Sequence, residues 1–141
     1  GGISHTHSTY ATMFAQACKE IPCFGTTHAD HFHGTIPVTR FLTSEEVEAD
    51  YEGNTGSIVV ERFAGMDPLS MPGILVAGHA PFAFGLTASE SATNALVLER
   101  VAQMALGSLQ LNPTLSELPV HILSKHFHRK HGPNAYYGQK K

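Results

Sequence analysis

The run GILVAGH at residues 73–79, with Pro72 before it and Pro81 after it, is the tightest constraint on the fold. An apolar stretch of this length between turn residues reads as a strand buried on both faces, ending in a histidine. Such a strand needs cover, and the flanking patterns supply it as helices. Ser8 can cap a helix over 9–19 that stops at Ile21-Pro22. Thr43-Ser44-Glu45-Glu46 is a capping-box pattern opening a short helix that fades before Gly53. Thr87-Ala88-Ser89-Glu90 opens a long helix to about Leu106, with Gly107 behind it. Pro119 opens a last helix that Gly132-Pro133 closes. Residues 1–4 and 57–63 read as further strands, the latter forming a hairpin-like pair around the turn at Met71-Pro72-Gly73. The segment CFGTTHADHFHGTIPVT reads as strand plus loop. The pattern predicts a mixed sheet covered by helices.

The length of 141 residues fits one domain spanning 1–141. Hydrophobic residues at 42% against charged residues at 15% exclude a disordered tail. No apolar run reaches the roughly 18 residues of a membrane span, and no signal peptide is visible. Cys18 and Cys23 are too few for a disulfide framework and lack zinc-knuckle spacing, so they read as free thiols in a reducing, cytoplasmic setting. From His121 onward lie Lys125, Arg129, Lys130, Lys140 and Lys141 without an acidic residue. That segment follows no nucleic-acid pattern and suits a small anionic substrate. Gly1-Gly2-Ile3-Ser4 reads as a strand already under way, as in a C-terminal portion of a longer chain.

The chemistry lies in the ten histidines. In a strand, His5 and His7 point to the same side while Thr6 points away, which makes half of a metal site. His79, at the end of its apolar strand and followed by Ala80-Pro81, is the third partner. Three histidines leave an ion open positions, the mark of a catalytic rather than a structural site. The rival group HADHFH at 28–33 contains Asp30, which suits acid–base work. His31 and His33 read as surface residues, and His121, His128 and His131 as a solvated helix face.

These residues carry a resemblance. GGISHTHSTYAT, IPCFGTTHADHFHGTIPVTR, MPGILVAGHAPFAFG and KHFHRKHGPNAYYGQ occur in order and resemble the L-ribulose-5-phosphate 4-epimerase branch of the class II aldolase/adducin family. The match runs over essentially the whole chain and over roughly the last three-fifths of such a protein. It implies a three-layer α/β/α fold with a central mixed, largely antiparallel sheet, assembled as a homotetramer with active sites shared between subunits. It also implies that His5, His7 and His79 bind Zn2+, or another divalent ion such as Mn2+ or Co2+. Asp30 becomes a proton-transfer group, Tyr137 a catalytic tyrosine acting in the neighbouring subunit, and His126 an accessory active-site residue. The family's phosphate-binding loops and an acidic residue near the metal belong to an N-terminal portion without counterpart here.

The implied reaction is metal-dependent epimerisation of L-ribulose 5-phosphate to D-xylulose 5-phosphate at C4. The C4 proton is not adjacent to the C2 carbonyl, so direct abstraction is unfavourable. Breaking the C3–C4 bond, rotating the aldehyde and re-forming the bond inverts the centre instead. The C4 oxygen then needs proton transfer on both faces, for which Asp30 and Tyr137 are the candidates. His126, Arg129 and the metal would supply the cationic setting that a phenol needs near neutrality. Two rivals stay open: a sugar-phosphate aldolase of the same fold, and an adducin-like interaction domain without metal chemistry.

Overall fold

A computed structural model describes residues 1–138; Gln139, Lys140 and Lys141, which end the tyrosine motif and the basic tail, lie outside the described residues. The elements are β1 (Gly2–His5), α1 (Thr9–Gln16), α2 (Thr26–Ala29), α3 (Ser44–Arg62), β2 (Gly73–Leu75), β3 (Pro81–Gly85), α4 (Ala88–Leu111) and α5 (Val120–Lys130). The strands form an antiparallel sheet in the order β1-β3-β2. His5 stands opposite Phe82, and Leu75 opposite Pro81. A parallel bridge between Val38 and Leu75 makes the sheet mixed at its margin. This is the mixed, largely antiparallel sheet with helical cover that the sequence predicts.

One face of the sheet presents Ser4, Ala83 and Gly85, small enough for α4 to lie directly on it. A Cβ at Gly85 would stand 2.5 Å from the Ser91 nitrogen, and one at Gly73 would meet Leu98 at 2.7 Å. Ser4 and Ser91 join their hydroxyls across this contact at 2.9 Å. Beyond it, α4 packs on α1, and Phe14, Phe32, Ile36, Leu75, Leu98 and Val101 close the core. The opposite face carries Ile3, His5, Phe82 and Phe84, because side chains alternate along each strand. Phe63, at the end of α3, lies edge-on to Phe84 there.

Four expectations change. Residues 57–62 are helical and Phe63 caps the helix, so no hairpin forms around Met71; the hairpin joins β2 to β3 through residues 76–80. Burial shows why: Ile58 is 1% exposed and Val60 73%, which breaks the period of two that a half-buried strand requires. The capping box at Thr43 forms as expected, and the helix it opens does end before Gly53, but only for one residue. It breaks at Asp50 (φ −167°, ψ 90°) and restarts, with the Asp50 carboxylate accepting from the Gly53 N–H at 3.0 Å as a second N-cap. Gly107 lies inside α4, which runs on to Asn112-Pro113 because its buried stripe holds it through Ala105. Finally, α1 ends at Gln16, where Cys18 takes a left-handed conformation (φ 51°). Its start is capped by a distant carboxylate: Glu99 accepts from the Tyr10 and Ala11 N–H groups at 3.0 and 2.9 Å.

Candidate metal centre

His5 closes β1, His7 follows it, and His79 sits in the turn between β2 and β3, four residues past the end of β2. That turn is tightly made. The Gly78 N–H donates to the Ala15 carbonyl at 2.8 Å and the His79 N–H to the Val76 carbonyl at 3.0 Å. Gly78 has φ 70° and lies so close to Phe41 that a Cβ would meet its ring at 2.6 Å, so glycine is required on both counts. The three imidazoles converge, with ring centres 4.9–5.1 Å apart and ligand nitrogens within 4.8 Å of one another.

The outer hydrogen bonds of these rings are unequal. His5 Nδ1 donates to the Pro81 carbonyl at 3.0 Å, which leaves Nε2 as its free lone pair, while the ring stacks on Phe82. His79 Nδ1 lies 3.1 Å from the Tyr51 hydroxyl, and His79 Nε2 lies 3.2 Å from His5 Nε2. Two nitrogens bound to one tetrahedral ion at 2.0–2.1 Å would stand about 3.3 Å apart, so the donor set fits a divalent ion. Partial burial, and the neighbouring His5 and His7, hold the His79 imidazolium below its usual pKa and favour the neutral ligand form.

Asp30, His126 and Tyr137 gather elsewhere. Asp30 caps the end of α2 rather than following a strand. Its carboxylate accepts from Arg129 at 3.0 Å through both oxygens and from His126 at 3.1 Å, with Lys130 3.4 Å away. Burial raises the Asp30 pKa, but the Arg129 and His126 hydrogen bonds and the Lys130 charge outweigh it, so the group is held below the usual carboxylate range. The Arg129 guanidinium lies 4.2 Å from the centre of the Tyr137 ring, and the Tyr137 N–H donates to the Arg129 carbonyl. His131, expected in solvent, is half-buried: it stacks on Phe127 and bonds the Asp30 carbonyl at 2.9 Å. His28 is buried and bonds the Gly34 carbonyl at 2.8 Å, so the rival cluster at 28–33 converges on no ion.

The two groups stand on different elements, the triad on β1 and the β2–β3 turn and the Asp30 group on α2 and α5. His33 bonds the Ser70 carbonyl, Val38 pairs with Leu75, and Phe41 reaches Gly78, so the segment from Asp30 to Phe41 runs beside β2 toward His79. The described side-chain hydrogen bonds of Asp30 and His126 join them to each other and to α5, and none of these reaches the histidine triad. Sequence reasoning missed Tyr51 altogether; its one signal was the capping aspartate immediately before it.

The class II aldolase and adducin N-terminal domain model matches residues 1–106. The chain belongs to the class II aldolase and adducin family. Among curated relatives of this family member, L-ribulose-5-phosphate 4-epimerase UlaF of Salmonella paratyphi B and of Salmonella choleraesuis are each 53% identical to it over 140 residues. Those alignments cover 99% of this chain and 61% of each relative, so the chain spans about three-fifths of their length. Among solved structures, an L-fuculose 1-phosphate aldolase superposes with a TM-score of 0.67 at 18% identity, covering 90% of this chain and 54% of that one. The L-fuculose-1-phosphate aldolase from Thermus thermophilus gives 0.58 at 20% identity, covering 82% and 57%. At such identities the likeness establishes the shared class II aldolase fold.

Proposed function

We propose that this chain is the metal-binding and proton-transfer portion, in a single domain, of an enzyme that interconverts L-ribulose 5-phosphate and D-xylulose 5-phosphate by inverting C4. The observation that carries the reading is the His5–His7–His79 triad, in a chain 53% identical to relatives of that name. These three histidines would hold a divalent ion, zinc or else manganese or cobalt. When bound, it supplies Lewis-acid polarisation of the substrate's C2 and C3 oxygens.

The chain's own residues handle the proton at the C4 oxygen. As the C3–C4 bond breaks, its electron pair stays with the three-carbon fragment and the C4 hydroxyl proton leaves to a base. After the aldehyde rotates, the bond re-forms on the other face and the new alkoxide takes a proton from an acid. Asp30 is the accepting group, ionised and ready to take a proton although Arg129 and His126 lower its basicity; Tyr137 is the donor for the opposite face, beside the cationic Arg129. His126 fixes the Asp30 carboxylate.

The resemblance read from the sequence implies a cyclic tetramer, in which the Tyr137 of one copy would complete the histidine triad of the next. A head-to-tail ring provides that pairing. No helix among the described residues is long and apolar enough to cross a membrane. Two free thiols suit action in the reducing cytoplasm. The test is to incubate the intact, metal-loaded protein with L-ribulose 5-phosphate and follow products by NMR. D-Xylulose 5-phosphate without free glycolaldehyde phosphate is the expected outcome. Accumulation of that aldehyde with dihydroxyacetone would make the protein an aldolase instead.

A further inference from the structure

We infer that Tyr51 is a positioning residue for His79, and that its hydroxyl reverses from hydrogen-bond donor to acceptor when His79 takes a metal ion. The inference rests on the metal-site reading above and adds a residue and a device to it.

The argument begins at Pro81. Its carbonyl can only accept, so the proton of neutral His5 sits on Nδ1 and Nε2 is bare. His79 Nε2 approaches that bare nitrogen at 3.2 Å, so the proton between them belongs to His79. A neutral imidazole carries one N–H, which leaves His79 Nδ1 as an acceptor facing the Tyr51 hydroxyl at 3.1 Å. The tyrosine therefore donates. One fixed acceptor at Pro81 thus sets every proton along Tyr51, His79 and His5.

Binding an ion through His79 Nε2 demands the opposite tautomer. The proton must then lie on Nδ1, and its partner must accept. A backbone carbonyl would suit only that state, and an ammonium only the first. A phenolic hydroxyl serves both, because it rotates to donate or accept from one position. His79 can change tautomer without losing its outer hydrogen bond or turning its ring.

The backbone is shaped to deliver this hydroxyl. Asp50 breaks α3, caps the segment that follows through the Gly53 N–H, and makes Tyr51 the first residue of the new helix. The ring lines a cavity together with Phe41, Leu42, Val47, Ile58, Val76 and His79, and its hydroxyl is held at one end by the bond to His79 Nδ1.

The test uses the intact protein, stripped of metal and titrated with Co2+, with the visible ligand-field absorption as readout. Tyr51→Phe keeps the ring and removes the oxygen, and it should weaken Co2+ binding about 10–100-fold, the usual effect of losing a ligand histidine's outer partner. A second measurement needs no variant. With 15N-labelled histidine, His79 should carry its proton on Nε2 in the stripped protein and on a slowly exchanging Nδ1 in the zinc-loaded one. In Tyr51→Phe the loaded Nδ1–H should exchange faster. Equal Co2+ affinity in wild type and Tyr51→Phe, or an unchanged His79 tautomer on loading, would overturn the inference while leaving the metal site standing. Failure of the wild type to bind Co2+ would remove the metal reading and this inference with it.

Discussion

The histidine triad and the Asp30 group solve different problems with different chemistry. At the triad, the imidazoles of His5 at the end of β1, His7 just beyond it and His79 in the β2–β3 turn face one point. Partners outside the cluster, the Pro81 carbonyl and the Tyr51 hydroxyl, orient His5 and His79. In the second group, Asp30 is ringed by His126, Arg129 and Lys130 and is held ionised by them. The first is built from close backbone turns with strict steric demands, as at Gly78. The second hangs on side chains from α2 and α5, which share no sheet hydrogen bonds. A metal site needs fixed lone pairs, and rigid turns provide them. The Asp30 carboxylate is instead set by charge, with long cationic side chains around it.

Breaking the second group while leaving the first intact should produce the larger effect. Asp30→Asn in the intact protein should retain the metal at full occupancy by elemental analysis, yet lower the epimerisation rate by roughly 10²–10⁴, the usual contribution of a positioned acid or base. Loss of metal in that variant would mean that Asp30 belongs with the histidines. Acid offers a gentler way to sharpen the contrast. His28 is 4% exposed at the root of the Asp30 turn, and burial lowers its pKa to about 4. The unfolded chain takes up this proton near pH 6.5 while the folded one resists. Stability is therefore complete above about pH 7 and falls as the pH drops from 6.5 toward 4, by about 3 kcal/mol in total. Urea unfolding of wild type against His28→Gln should show the midpoint falling across this window in the wild type and a flatter profile in the variant. Identical profiles would remove His28 as the cause.

Much of this arrangement is legible in the sequence where the physics is local. The Thr43 box and the Thr87 cap are short-range signals, and each opens its helix where the pattern places it. The apolar run at 73–79 correctly marks a buried strand, although pairing ends at Leu75 and the rest becomes the turn that carries His79. The misreadings are those that tertiary contacts decide. Ile58-Val59-Val60 has the β-branched composition of a strand, but a single buried stripe at Thr55 and Ile58 holds it as helix. Gly107 is a stop signal in isolation, and α4 passes through it because packing on both sides continues. Ser8 is a sound capping residue, yet Glu99, far along the chain, makes the hydrogen bonds instead. Tyr51 was hidden for the same reason, since its meeting with His79 depends on a break in α3 that only the folded chain reveals. The membership of His5, His7 and His79 in one cluster was readable because each lies at or just beyond the end of a strand-like segment.

The central claim is that a working site joins the histidine triad of one subunit to the Tyr137 of its neighbour. Co-refolding two intact variants, His79→Asn and Tyr137→Phe, tests it most directly. Neither variant alone should turn over substrate at more than a small fraction of the wild-type rate. In randomly mixed rings, about a quarter of the interfaces would pair an intact triad with an intact tyrosine. The account predicts that epimerase activity returns toward that fraction in the mixture. Mixed tetramers verified by mass spectrometry that remain as inactive as their parents would contradict it.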